Sequence, residues 1–403
     1  MRIFQILLGL FFNILLFFDI QALYLFDAYP ELKNKISYER IGNYPTPVYN
    51  MKSLAAKYGI KSFYIKDDGV SGYKDMQSRI VPSGNKMRKL EFLLADAKKL
   101  GFKTVCTVGS AGSNHALETA ICAKQVGLET ILILNDQRPT SYTIRNLKLM
   151  SLFAREVKYC AIDDNFKLME EAQNLCQIEG YYYIPMGGSN SIGDLGYINA
   201  MLELKEQIKS GLLEEPDFIY VTLGSAGTAA GIILGAQVAG IKSKIIPVRI
   251  SFTVDYKTKL LLDLVNETGK WFKQLEPKFS FAPLDTLNLN IEHNFAGGED
   301  DTYALATLPA AQAIELLAKE SLKEIGYEVK LDGTYSGKTF SALLDHATKG
   351  LLKNKKVLFW NTFSYGKFEN FISCVSDEQI NKVIDKKLLH YLTDKLQDLD
   401  AGV

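Results

Sequence analysis

From residue 104 to residue 360 the chain alternates short apolar runs with stretches of helical periodicity. The apolar runs fall at 104–108, 130–134, 182–184, 218–223, 245–250 and 357–360, and the helical patterns at 114–126, 144–152, 166–177, 195–209, 229–238, 308–325 and 340–346. A strand covered on both faces reads as an unbroken apolar run, and parallel strands need a crossover long enough to hold a helix. The alternation therefore predicts an α/β fold of open, mostly parallel sheets flanked by helices. A chain of 403 residues is long enough for two lobes. The expected division is a small α/β domain over 90–194 and a larger one built from 23–89 together with 195–375. A single doubly wound domain is the rival. The segment 251–294, with Trp271 in a charged helical pattern, is the hardest to read.

Both ends depart from this pattern. Arg2 precedes an apolar run from Ile3 to Phe18, and Ala22 is a possible cleavage point, as in a secretory signal. The run is short for a membrane span of about 20 residues. Export or a membrane anchor is thus one expectation for 1–22, and an ordinary N-terminal extension the other. In the tail, Ile380, Ile384, Leu388, Leu392 and Leu396 recur every fourth residue, with charges of both signs between them. That predicts one amphipathic helix within 376–403, packed on its own domain or on a subunit partner rather than on a membrane. A homodimer is the expected assembly.

Lys+Arg and Asp+Glu balance at 46 each, so no field recruits nucleic acid or anionic lipid. The five cysteines form no C-x-x-C pair and have no histidine at ligand spacing, so neither a disulfide framework nor a metal is expected.

Chemistry gathers where strands end, because ligands of open α/β sheets sit beyond the carboxyl edge. Four runs there are rich in small and hydroxyl residues: Gly109-Ser110-Ala111-Gly112-Ser113-Asn114-His115, Pro185-Met186-Gly187-Gly188-Ser189-Asn190, Gly224-Ser225-Ala226-Gly227-Thr228 and Asn361-Thr362-Phe363-Ser364. The third opens a helix. Its backbone N–H groups and the hydroxyls of Ser225 and Thr228 suit a monophosphate cup, although a dinucleotide loop or a plain tight turn shares the composition. His115 reads equally as a packing residue or as a catalytic one.

A further run, Ser83-Gly84-Asn85-Lys86-Met87-Arg88-Lys89-Leu90-Glu91, places a lysine at the mouth of a helix. Read alone it is a solvated basic turn. Read with the phosphate cup it offers an amine whose pKa burial would lower, as a nucleophile toward an aldehyde requires, with Lys89 favouring an anion nearby. An imine-forming lysine and a phosphate site are what pyridoxal phosphate needs.

Together these segments resemble the fold-type II pyridoxal-phosphate enzymes, and within them the D-cysteine desulfhydrase/1-aminocyclopropane-1-carboxylate deaminase family. SGNKMRKLEFLLADA is similar to the family's GGNKxRKLEFL, GSNHAL to QSNHTR, IPMGGSNSIGDLGY to IPxGGSNxxGxxGY, and LGSAGTAAG to GSGGTxAG. The likeness runs from about Leu25 to Phe371. It implies a two-domain fold like the β subunit of tryptophan synthase, pyridoxal 5'-phosphate as cofactor and a small amino acid as substrate.

The resemblance also implies roles. Lys86 is the Schiff-base lysine and Lys89 a phosphate contact, with Gly224, Ser225, Ala226, Gly227 and Thr228 as the cup. Ser113 lies near the substrate carboxylate and Cα, a candidate beside Lys86 for taking the Cα proton, and Asn114 beside the cofactor's phenolic oxygen, with His115 and Gly188 along the substrate wall. Thr302-Tyr303-Ala304 and Asp332-Gly333-Thr334-Tyr335-Ser336-Gly337-Lys338 supply two active-site tyrosines, Tyr303 and Tyr335, and Thr362 faces the pyridine nitrogen.

The departures are Ser83, Gly112, Leu117, Ala304, Phe363 and Ser364, so the cofactor frame is kept while the substrate wall changes. Ser336 stands where the deaminase has a glutamate, which points to D-cysteine-type α,β-elimination over opening of a cyclopropane ring. A cofactor-binding homologue without activity is the third possibility. The family resemblance places the protein in the cytoplasm, against the signal-like start.

Overall fold

The computed structural model describes residues 23–74, 80–81, 84–251, 254–298, 303–366 and 368–397. The signal-like segment 1–22, Ser83, Thr302 and the last six residues of the tail lie outside them.

Eleven strands are described: β1 (Val48–Asn50), β2 (Ser62–Asp67), β3 (Tyr73–Lys74), β4 (Ile80–Val81), β5 (Thr104–Ser110), β6 (Glu129–Asn135), β7 (Glu156–Tyr159), β8 (Tyr182–Ile184), β9 (Phe218–Leu223), β10 (Lys244–Arg249) and β11 (Lys356–Asn361). They divide between two main sheets, not one doubly wound sheet. The first has the order β7-β6-β5-β8 and is parallel throughout, with Ile131 opposite Cys106 and Tyr182 opposite Val105. The second has the order β1-β2-β11-β9-β10 and is parallel except for its edge pair β1–β2. β3 and β4 form a separate antiparallel ribbon. Buried Val, Ile and Leu fill both faces of the central strands β5, β6, β9 and β11, which is why those runs are continuously apolar.

The helix Lys86–Lys99 lies where the two sheets meet, against the helices Asn114–Gln125 and Ser191–Lys209. The expected boundary between residues 89 and 90 falls inside it. Its first turn is held by charge. Arg88 is buried, donates to Asp68 Oδ1 at 2.8 Å and Glu203 Oε2 at 3.0 Å, and stacks over the Tyr44 ring at 4.3 Å. Lys66 bonds Glu203, Gln207 and the Thr46 carbonyl, while Tyr197 and Trp360 donate to Asp68. Such a network gains little over an apolar core, but losing one partner strands the other charges at a cost of about 3–5 kcal/mol. Glu118 of the neighbouring helix accepts from the Gly84 and Lys86 amides at 3.0 and 3.1 Å, which fixes where Lys86 begins.

The tail is not one amphipathic helix. It forms a short helix at Asp377–Val383 and a 3-10 turn at Lys386–Leu392. Between them Ile384 is extended (φ −91°, ψ 129°) and bridges to Val157 of β7, and Asp385 starts the next turn by accepting from the Lys387 amide. Ile380, Val383, Ile384, Leu388 and Tyr391 all bury against the helix Ser141–Phe153 and its neighbours. The four-residue spacing therefore served two short pieces with one buried face. The hard-to-read segment begins with a helix of 22 residues, Val254–Leu275, whose Trp271 packs on the core beside β9 and β10. Among the described residues no helix is long and apolar enough to cross a membrane.

Candidate active site

The loops at the carboxyl ends of β5, β8, β9 and β11 converge on one cavity of about 990 Å³. Lys86, Ser113, Asn114, His115, Gly224, Ser225, Ala226, Thr228, Tyr303, Tyr335 and Thr362 all line it. Lys89, Gly188 and Gly227 do not. They stand behind its wall.

Lys86 enters as the first residue of its helix, with its amine 3.2 Å from the Asn85 Oδ1 acceptor. Burial lowers its pKa, against the opposing pull of the Glu118 and Asp332 carboxylates. Asn85, not singled out by the sequence, also donates from Nδ2 to Thr228 Oγ1 at 3.0 Å, so it ties the lysine to the phosphate cup. A side-chain amide immediately before the lysine was the available signal.

The cup opens the 13-residue helix Gly227–Ala239. Ala226 takes φ 70°, a value that turns successive backbone amides to one side. The glycines here answer to close approach. A Cβ on Gly187 would sit 1.9 Å from Ser225 Oγ, and one on Gly227 would sit 2.4 Å from Lys89 Nζ. Lys89 is fully buried beneath the cup and donates to the Gly187 carbonyl at 3.0 Å and to Ser189 Oγ at 3.3 Å. Burial, helped by nearby Lys86, brings its pKa down to about 7. The expected phosphate contact thus underlies the cup rather than lining it. Lys257, which sequence reasoning passed over in the unread segment, does line the cavity and donates to the Gly224 carbonyl. Burial and Arg249 lower it to about 7.

Ser113 caps the helix Asn114–Gln125, accepting from the Ala116 amide at 3.2 Å, so its own proton is free for another acceptor. His115 is a wall residue. Its Nε2 lies 3.0 Å from Thr107 Oγ1, and because that hydroxyl donates to the Ile184 carbonyl, the ring nitrogen is the donor. Burial and the neighbouring Lys86 and Lys89 hold His115 well below the usual histidine range, hence neutral. The packing alternative fits this placement. Gly188 likewise packs inward, with Leu93 and Lys89 where a side chain would go.

Tyr303 and Tyr335 meet hydroxyl to hydroxyl at 2.6 Å. Burial raises both phenols, Tyr335 the more, and either hydroxyl can donate to the other. Asp332 also faces the cavity, but its carboxylate is spent on the following turn. Oδ2 accepts from the Thr334 and Tyr335 amides, and Oδ1 from the Ser336 amide and hydroxyl. The Ser336 hydroxyl, fully buried, is consumed there.

A buried lysine of lowered pKa opposite a glycine-lined helix N-terminus is the site of an enzyme that uses pyridoxal phosphate. The donor set fits that group: an amine for its aldehyde, amides and hydroxyls for its phosphate, and the Thr362 hydroxyl for its ring nitrogen. The chain belongs to the pyridoxal-phosphate dependent enzymes, whose family model matches residues 40–362.

Among individual proteins, it is 31% identical over 335 residues to a putative 1-aminocyclopropane-1-carboxylate deaminase of Pyrococcus abyssi, covering 80% of this chain and 91% of that one. It is 30% identical over 326 residues to a D-cysteine desulfhydrase of Klebsiella pneumoniae, covering 79% and 91%. The crystal structure of an ACC deaminase homologue superposes with a TM-score of 0.68 at 29% identity, over 88% of this chain and 99% of that one. The fold type and the cofactor expected from the sequence therefore stand.

Proposed function

We propose that the protein is a lyase that eliminates the β-substituent of a small amino acid, as a D-cysteine desulfhydrase does, giving pyruvate, ammonia and sulfide. The observation that carries this reading is that no carboxylate is left to pair with the ring nitrogen. No carboxylate follows Tyr335, the Ser336 hydroxyl is bound to Asp332, and the Asp332 oxygens are already filled by four donors. Thr362 is left as the ring-nitrogen partner. A hydroxyl there does not keep that nitrogen protonated, so the electron sink is moderate. That suffices to expel a good leaving group such as thiolate and is poorly matched to opening a cyclopropane.

When bound, the cofactor supplies the electrophilic aldehyde and the conjugated ring that accepts the Cα electrons. The chain does the rest. Lys86, its amine pKa lowered by burial, would hold the cofactor's aldehyde and serve as the base for the Cα proton. The Ser113 hydroxyl donates to the substrate carboxylate and orients Cα. The Tyr303–Tyr335 pair holds a proton at the opposite side, for the departing β-substituent. The neutral His115 adds bulk to the wall and no charge.

The test is a substrate panel: D- and L-cysteine, β-chloroalanine, serine and the cyclopropane amino acid, scored together for sulfide, ammonia and keto acid. Sulfide and pyruvate in equal amounts from one cysteine enantiomer are expected, and the Lys86→Ala protein should lose both the visible cofactor band and the activity. Ring opening of the cyclopropane amino acid with little sulfide would overturn the reading in favour of deaminase chemistry. A protein that binds cofactor and turns over nothing would favour the inactive homologue.

A further inference from the structure

The helix Ser141–Phe153 carries two polar residues, Arg145 and Asn146, that do not line the cavity yet end on a residue that does. Asn146 is fully buried and donates from Nδ2 to the Gly112 carbonyl at 2.8 Å. Its Oδ1 accepts from Arg145 Nε at 3.0 Å and Nη2 at 2.9 Å. A carbonyl can only accept and a guanidinium can only donate, so these partners settle which end of the Asn146 amide is which. The same Nδ2 lies 2.9 Å from the Asn114 side chain, so the atom it meets is the acceptor Oδ1. Arg145 Nη2 reaches that oxygen as well, at 3.5 Å. With Oδ1 held behind, Asn114 has its amide NH2 left for the cavity.

Arg145 is itself fixed by an aromatic cage. Its guanidinium carbon lies 4.1 Å from the Phe368 ring centroid, 4.9 Å from Tyr142 and 5.8 Å from Phe363. Burial lowers its pKa only to about 10, so it stays cationic near neutrality. Phe363 directly follows Thr362, so the cage joins the Thr362 segment to the Asn114 side.

We propose that Asn146 and Arg145 are positioning residues that fix Asn114 as a hydrogen-bond donor toward the phenolic oxygen of the cofactor. The inference rests on the site holding pyridoxal phosphate. A donor stabilises the deprotonated phenolic oxygen and hence the long-wavelength form of the bound cofactor. An acceptor in the same place favours the protonated form. Asn146→Asp offers acceptors at both ends, so the Asn114 amide must turn its NH2 toward it and its oxygen toward the cavity. Arg145→Met removes the second donor while keeping bulk inside the cage.

The experiment compares absorption spectra and cofactor titrations of wild-type, Asn146→Asp and Arg145→Met proteins, with thermal unfolding of each cofactor-free form recorded alongside. Asn146→Asp should shift absorbance from the long- to the short-wavelength band and weaken cofactor binding about tenfold, the loss expected for one well-placed hydrogen bond. Arg145→Met should move both readouts in the same direction by less. Folded variants with the wild-type band ratio would overturn the proposal even if activity fell, and Arg145→Met alone decides it if Asn146→Asp does not fold. A wild type showing no cofactor band would overturn it by removing the cofactor itself, and the wild-type spectrum alone identifies that outcome.

Discussion

Ala226 is a residue whose backbone works against its side chain. Its φ of 70° and ψ of −34° lie in territory that glycine occupies at little cost and a Cβ does not. The residue opens the helix at the cup, where the Gly227 amide is tied to the Ser225 carbonyl and to Ser189 Oγ, and strain of this kind is commonly found at functional sites. Ala226→Gly should therefore stabilise the cofactor-free protein, by about 1 kcal/mol, read from the midpoint of chemical denaturation. An unchanged or lowered midpoint would mean that the alanine methyl packs well enough to offset its backbone. Gly112 makes the opposite case. A Cβ there would come within 2.8 Å of both Gln137 Nε2 and Thr143 Oγ1, so the glutamine that the family carries has no room in this chain. Gln137 occupies that side of the cavity instead, accepting from the Gly112 amide at 2.9 Å. A substitution that looked like a loss along the sequence is a replacement by a residue 25 positions away.

Elements set how far the sequence could be read. Strands β5, β6, β9 and β11 were legible because burial on both faces leaves a contiguous apolar signature. The four loops after strands were legible because glycine and hydroxyl residues cluster where a backbone must approach a ligand. Asn146 and Arg145 carried no such signature, since a polar residue within a helix acquires its role only from what the fold places opposite it. Lys257 was hidden for the same reason, in a helix whose charged pattern revealed nothing of the Gly224 carbonyl it would meet. The tail was half legible: its apolar spacing marked a buried face, while the break at Ile384 depends on a bridge to Val157 that no local pattern announces. The tail nevertheless belongs to the four-stranded unit. Leu388 is fully buried in that cluster, so Leu388→Ala should destabilise by about 2–5 kcal/mol in chemical denaturation, with cofactor binding retained in the folded fraction. A loss below about 0.5 kcal/mol would show the tail to be a loose appendage.

At the scale of the whole molecule, the site concentrates buried cations, and the pH dependence of stability should report them. Lys89 and Lys257 both sit near 7 in the folded chain, against 10.5 for an unburied lysine. Between those values the unfolded chain binds more protons than the folded one, so stability rises with pH. This contribution is fully present above the unfolded pKa and is lost as pH falls through the folded one. Lys66 and Lys86 are lowered as well and act with the same sign. Glu91 and Asp194 are raised to about 7, so folding favours their protonated form and their contribution is lost as pH rises through about 7. By pH 8 most of that change is complete. The buried tyrosines resist ionisation, and the cost of that begins only toward pH 10, where free phenols titrate. In the window from roughly pH 8 to 9.5 the four lysines oppose two buried thiols, Cys106 and Cys122, whose raised pKa lowers stability as the unfolded chain loses those protons. Each group is worth at most about 1.4 kcal/mol per pH unit, so the four lysines outweigh the two thiols. The cofactor-free protein should melt at a higher temperature at pH 9.5 than at pH 8. With Lys86 and the cup holding the cofactor as proposed, its phosphate would lie above Lys89, which would favour the charged lysine and should flatten the slope. Melting curves of both forms across that window check the argument. A cofactor-free melting temperature that falls steadily from pH 8 to 9.5 would show that these lysines keep their protons inside the fold.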